Sequence, residues 1–199
     1  MKKIRSIIIL GSLLLLVTGC KLFTIENKKV DYLSGKHYVE MSIKNYGKME
    51  LELDADIAPI TVTNFMKLVR DGSYDNNNII RVQKDFVIQG GAVEGAETIK
   101  GEFLANGVDN PISHVKGVIS MARSGSQSSG FDTASSQFFI TTGDASESLD
   151  NYYAGFGKVT KGMEVIDKLN KKSFESDGMG FIKNDSDKPV IEYIKEIEK

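Results

Sequence analysis

Apolar and polar residues alternate along the chain from His37 onward. Val39, Met41 and Ile43 interleave with Glu40, Ser42 and Lys44; after Asn45-Tyr46-Gly47 the alternation resumes, with Met49, Leu51 and Leu53 set against Glu50, Glu52 and Asp54. Successive strand side chains point to opposite faces, so this pattern predicts a β-hairpin with one buried face. The period then changes. Ala58-Pro59 leads to Thr61, a residue suited to an N-cap, and Val62, Phe65, Leu68 and Val69 share one helical face. Arg70 complements the dipole at the helix end, and Gly72 supplies a left-handed stop. A second helix is predicted from Gly162 to Asn170, burying Met163, Ile166 and Leu169. Short β-prone runs lie between and after them: Ile79 to Val82, Phe86 to Gln89, Gly117 to Met121, Gln137 to Thr141, Tyr153 to Val159 and Val190 to Ile197. Many short strands with Gly-rich turns favour a closed barrel whose ends two helices could plug. No repeat of fixed period emerges, and the small polar stretch Gly125 to Gly130 reads as a surface loop, so residues 37–199 form one domain.

The first residues follow a different rule. Lys2, Lys3 and Arg5 precede an apolar run from Ile7 to Val17, and Leu16-Val17-Thr18-Gly19-Cys20 ends it. The run is short for a membrane span of about 20 residues but suits the core of a signal peptide. Its ending resembles the bacterial lipobox, in which small residues precede a cysteine that is lipidated and becomes the first residue after cleavage. The expectation is a signal peptide at 1–19, then a lipidated Cys20 with a polar tether to residue 36. A plain secretory signal and an uncleaved anchor helix are the alternatives. Acyl chains of the palmitate kind, each buried CH₂ contributing about 0.8 kcal/mol, would hold the protein on the outer, extracytoplasmic face of a cell membrane.

Composition narrows the chemistry. The chain of 199 residues has a formal net charge of -2, with three of its cations in the leader. No basic stripe interleaved with aromatics marks a nucleic-acid surface. Cys20 is the single cysteine, which rules out an intramolecular disulfide and a Cys-rich zinc site. His37 and His114 stand far apart without metal-ligand spacing and read as structural or surface residues. Asp144, Glu147 and Asp150 lack the spacing of a calcium loop and read as a solvated loop. No metal or cofactor is expected.

Several runs together resemble one family. They are Ile60-Thr61-Val62-Thr63-Asn64-Phe65, Arg81-Val82, Phe86-Val87-Ile88-Gln89-Gly90-Gly91, Gly117 to Arg123, Ser136-Gln137-Phe138-Phe139-Ile140, Leu149-Asp150, and Phe156-Gly157-Lys158-Val159 leading into Gly162 to Ile166. In order and spacing this resembles the cyclophilin-type peptidyl-prolyl cis-trans isomerases across nearly all of residues 37–197. The resemblance implies an eight-stranded antiparallel closed barrel capped by two α-helices, with a groove on its outer face. It places the catalytic arginine at Arg81, braced by Gln89, and the apolar floor for proline at Phe86, Val87, Phe139 and Leu149. Ala122, Arg123 and Gln137 match positions that contact the substrate backbone, and Tyr153 stands where relatives place His or Tyr. The implied partners are X–Pro segments of unfolded or flexible client proteins, with the isomerase acting as a monomer.

The chemistry suits these residue types. Rotation about a peptide bond meets a barrier of about 18–20 kcal/mol because resonance makes C–N partly double. Twisting leaves a pyramidal, more basic nitrogen, to which a guanidinium can donate; that bond is stronger in the twisted state than in the planar one. Ile80 departs from the family, which usually has His before the arginine. The tryptophan that contacts cyclosporin maps near Ser148, and the chain contains no Trp, so weak cyclosporin binding is expected. Three functions are therefore open: an active extracytoplasmic isomerase for secreted or surface proteins, a catalytically weak proline-peptide binding module or chaperone, and a lipoprotein whose barrel is only structural.

Overall fold

A computed structural model describes residues 31–199. Cys20 and the leader lie outside the described residues. The compact unit starts at Asp31. Before the first strand, Leu33 packs against the core and its N–H donates to Thr63 Oγ1 at 2.8 Å.

The predicted hairpin is β1 (Lys36–Ile43) and β2 (Gly47–Asp54), paired so that Val39 faces Leu51 and Met41 faces Met49. The turn rests on Asn45 at φ +68°, a left-handed conformation that Asn tolerates. The remaining strands are β3 (Asn77–Gln83), β4 (Val87–Gly90), β5 (Val118–Met121), β6 (Phe138–Thr141), β7 (Gly155–Lys161) and β8 (Val190–Glu196). All pairings are antiparallel, and the order β1-β2-β7-β5-β6-β4-β3-β8 closes into a barrel. Inward-facing Val39, Met41, Leu51, Leu53, Ile119, Phe138, Ile140 and Phe156 form one buried cluster. Helix α1 (Pro59–Arg70) packs on β8 and β2 and adds Phe65 to that cluster. The Phe65 ring lies 5.2 Å from Tyr74 and Phe156 and 5.6 Å from Phe138. Burying one such side chain contributes about 1.5–3 kcal/mol.

Thr61 is not the N-cap of α1. The helix begins two residues earlier, with Pro59 at its first position and Ala58, which offers no side-chain cap, before it. The cap comes from a distant loop. Glu102, 2% exposed, accepts the Ile60 N–H at 3.0 Å and the Thr61 N–H at 2.7 Å. A carboxylate here satisfies two orphan donors and faces the positive end of the dipole. Gly72 does take the left-handed conformation, at φ +67°.

Both expected helices are present, together with one further α-helical turn. The second predicted helix is α3 (Met163–Lys171), and a single-turn helix α2 (Ser146–Leu149) precedes β7. Four residues are too few to show a helical period. α2 is set instead by Asp144, whose Oδ1 accepts the Ser146 N–H at 3.0 Å and the Ser146 hydroxyl at 2.7 Å. The acidic run is therefore not merely a solvated loop: Asp144 starts this turn, and Asp150 ends it with a structural task described below.

Candidate active site

Strands β3, β4 and β6 lie side by side, and their outward-facing residues build a cleft. Arg81 on β3 is in register with Gln89 on β4, which is in register with Phe139 on β6. Alternation along β6 sends Phe138 into the barrel core and Phe139 outward. Phe139 there joins Val87, Ala145 and Leu149 in a separate apolar cluster, with Phe86, Ala122 and Tyr153 packed at its edge. The Tyr153 ring meets Phe139 edge-on, at 5.6 Å and 80°. α2 delivers Leu149 to this floor.

The cleft has a volume of about 420 Å³, and Arg81, Phe86, Val87, Gln89, Ala122, Arg123, Phe139, Leu149 and Tyr153 all line it. The remaining expected contact residue, Gln137, lines an adjoining cleft of about 340 Å³ that shares Gln89, Ala122 and Arg123 with the first. Ile80 lines this second compartment, giving it an apolar wall where the family usually has a His.

Arg81 is half-buried and held on several sides. Its Nε–H donates to the Met179 carbonyl at 2.8 Å, its Nη1 to Gln89 Oε1 at 3.3 Å, and its Nη2 to Gln83 Oε1. Its guanidinium lies over Phe181 at 5.3 Å and Phe86 at 5.8 Å. Burial pushes its pKa down from the ordinary arginine value, while Tyr153 and Asp177 work to raise it. An arginine remains charged regardless. Of the five guanidinium N–H bonds, three have partners, which leaves one on Nη1 and one on Nη2 for a ligand. Gln89 is fixed in turn, its Nε2 donating to Gln137 Oε1 at 3.0 Å. The Gln89 amide is thereby oriented with its oxygen toward Arg81.

Arg123 uses its guanidinium differently. Nε donates to the Tyr152 carbonyl and Nη1 to the Ser129 carbonyl, both at 2.9 Å, and the plane lies 4.8 Å from Tyr153, 5.2 Å from Phe103 and 5.5 Å from Phe131. This side chain ties the Gly125 to Gly130 loop to the rim of the cleft.

Sequence reasoning missed two groups. Behind the floor, His114 stacks on Phe139 at 6.0 Å and 28°. Its Nδ1–H donates to Asp150 Oδ1 at 2.7 Å, and the neutral ring accepts the Ser120 hydroxyl at Nε2, at 3.0 Å. Asp150 also accepts the His114 N–H at 2.8 Å and the Ser113 hydroxyl at 2.7 Å. Burial lowers the His114 pKa, with Asp150 opposing. Burial tends to raise the Asp150 pKa, but its hydrogen bonds outweigh that and hold it below the usual carboxylate range. The second group is Met179 and Phe181, from a polar, glycine-containing loop that gives no periodic signal. Only pairing with β3 brings it to the cleft.

Over residues 38–195 the sequence matches the family described as cyclophilin type peptidyl-prolyl cis-trans isomerase/CLD. Peptidyl-prolyl cis-trans isomerase A of Dickeya dadantii is 38% identical over 151 residues, 73% of this chain and 76% of its own. Peptidyl-prolyl cis-trans isomerase cypE of Dictyostelium discoideum is 38% identical over 136 residues, 66% of this chain and 83% of its own. The crystal structure of a cyclophilin type peptidyl-prolyl cis-trans isomerase from Cryptosporidium parvum superposes with a TM-score of 0.70 at 26% identity, covering 83% of this chain and 99% of that one. A second structure of that protein, in the presence of the dipeptide Ala-Pro, gives 0.68 at 27% identity, over 81% and 99% of the two chains. With its barrel, its arginine-edged apolar cleft and these relatives, the chain belongs to the cyclophilin-type peptidyl-prolyl cis-trans isomerases.

Proposed function

We propose that the isomerase turns over X–Pro bonds of unfolded or flexible client proteins by Arg81-assisted twisting of the amide, at the outer face of a bacterial membrane. The observation that carries this reading is an arginine oriented by three hydrogen bonds, with two N–H bonds still unspent, at the edge of an apolar cleft. The proline ring occupies the floor of Phe86, Val87, Phe139 and Leu149. As the preceding carbonyl swings, the amide nitrogen loses its resonance and becomes an acceptor. An Nη–H of Arg81 donates to it, a bond available only as the twist develops. Gln89 and the Met179 carbonyl keep the guanidinium in place, so little reorganisation is needed. No nucleophile is involved, and both directions are accelerated alike.

The test is exchange of a short Ala-Pro peptide measured by NMR, with wild type, Arg81→Ala and Arg81→Lys compared. A charged hydrogen bond contributes about 1.5–3 kcal/mol, so Arg81→Ala is expected to lower kcat/KM by roughly 10- to 150-fold. Arg81→Lys keeps the charge but not the fork and recovers only part of the loss. Wild type no faster than background, yet binding the peptide, makes the protein a proline-peptide binding module instead.

The membrane location rests on the lipobox-like Leu16 to Cys20. Labelling with a palmitate analogue should mark wild type and not Cys20→Ala, and protease added to intact cells should reach the domain. Labelling that survives the substitution removes the anchor from the proposal.

A further inference from the structure

The loop after α3 brings one large apolar side chain to the cleft and leaves it uncovered. Met179 is 60% exposed. The other exposed large apolar residues among those described, Tyr32, Leu104 and Val115, do not line the cleft; Met179 does. Its position is built rather than incidental. Asp177 Oδ1 accepts the Met179 N–H at 2.8 Å and the Phe181 N–H at 2.9 Å, and the Asp177 N–H donates to the Phe181 carbonyl at 3.0 Å. The Val82 N–H donates to the Gly180 carbonyl at 3.0 Å, and the Ile182 N–H to the Ile80 carbonyl at 2.9 Å, which sews the turn to β3. Gly180 is required there: its φ is +87°, and a Cβ would stand 2.8 Å from the Val82 carbonyl oxygen. The Met179 carbonyl is the one that holds Arg81 Nε.

A hydrogen-bonded turn thus presents a flexible thioether at the edge of the cleft. We propose that Met179 is a specificity-determining residue, which packs on a side chain immediately flanking the proline and favours a bulky apolar one. This rests on reading the cleft as the proline-peptide site. Methionine has three rotatable side-chain bonds and a polarizable sulfur, so it adapts to shape and selects bulk and apolarity, such as Leu, Met or Phe, rather than one side chain. Phe181 borders both compartments and gives the same wall a second apolar surface. A polar or charged flanking residue gains nothing here, whereas a large apolar one covers area that Met179 otherwise leaves to water. For partial burial on an open rim, the preference is on the order of 3- to 10-fold in affinity or kcat/KM.

The test uses the full chain in mild detergent and two peptide series of the form Ala-Xaa-Pro-Zaa. One varies Xaa and the other Zaa, each through Gly, Ser, Asp, Leu and Phe. Both kcat/KM, from NMR exchange, and Kd, from shift titration, are measured for wild type, Met179→Ser and Met179→Leu. Each protein's preference is a ratio within itself, so a general loss of activity in a variant does not affect it. Wild type should favour Leu and Phe over Gly and Asp at one flank by about 3- to 10-fold. Met179→Ser should compress that ratio to below about 2-fold, and Met179→Leu should restore it. An unchanged ratio in Met179→Ser, or no preference at either flank in wild type, overturns the assignment. If no peptide is turned over, the isomerase mechanism fails, and the Kd ratios decide the Met179 proposal on the same criteria.

Discussion

Replacing His114 by Ala should damage both the fold and the apolar floor of the cleft. The ring is buried, 1% exposed, between Phe139 and the Asp150–Ser120 pair. Truncation leaves a cavity behind Phe139 and strands the Ser120 hydroxyl, which is 0% exposed. Asp150 fares better, since it keeps the His114 N–H and Ser113 and is partly open to water. The cavity costs about 2 kcal/mol, at the low end for large-to-small substitutions, and the stranded hydroxyl about 1–2 kcal/mol more. The expected loss is therefore about 3–4 kcal/mol, read as a lower urea midpoint at unchanged slope. Phe139 also loses the ring that backs it, so kcat/KM should fall roughly 10-fold, mostly through KM, because Arg81 is untouched. His114→Gln can still donate toward Asp150 and accept from Ser120, but it cannot stack. It should recover about half of the stability, by roughly 1–2 kcal/mol, and little of the activity. A loss below about 1 kcal/mol for His114→Ala refutes the energetic reasoning. A destabilised variant with unchanged KM refutes the link from the imidazole to the proposed proline-binding role of the apolar floor.

Two further predictions concern stability. The folded-state pKa of His114 is lowered from 6.5, so between the two values the unfolded chain binds more protons and stability falls as pH drops. The urea midpoint should be flat above about pH 7, decline below about 6.5, and decline again as Asp150, lowered from 3.8, is protonated; a slope between pH 7 and 5 that survives in His114→Gln contradicts this. Glu102→Ala removes both acceptors at the start of α1, where no acidic residue of the helix itself compensates. It should cost roughly 2–3 kcal/mol, and Glu102→Gln about half of that; a thermal midpoint within about 2 °C of wild type for Glu102→Ala disproves the capping role.

The sequence carried what is local and periodic. Alternation in β1 and β2 reports burial because one face of each strand meets the core, and the pair Phe138-Phe139 separates to opposite faces for the same reason. Arg81, Gln89, Phe86 and Phe139 were legible as a set because their runs resembled those of a family; the barrel register places Arg81, Gln89 and Phe139 in neighbouring positions, and Phe86 packs against the cluster that includes Phe139. What escaped was set by contacts distant in sequence. The cap of α1 lies 41 residues from Thr61, so a local N-cap rule chose the wrong residue. α2 is a single turn held by Asp144, and Asp150 looked like a solvent-facing acid because its partner His114 lies 36 residues away. The stretch around Asp177 reads as a polar turn, and its Met179 becomes part of the cleft only through the sewing of Gly180 and Ile182 to β3.

The two arginines of the cleft show why residue type alone does not assign a role. Both lie against aromatic rings and both have fixed Nε–H donors. Arg123 donates to carbonyls of two chain segments and sits among three rings, so moving it would release the loop as well as the rim. Arg81 is anchored at Nε by a turn that is itself sewn to β3, and its Nη groups meet glutamine amides. A transition-state donor must be oriented before the reaction yet retain a hydrogen for the atom that becomes basic. Arg81 satisfies both conditions at the edge of the apolar floor, and the turn that orients it also carries Met179. On the proposed mechanism, one short loop both anchors the transition-state donor and carries the side chain proposed to select the residue beside the proline, so changes in that loop should alter rate and selectivity together.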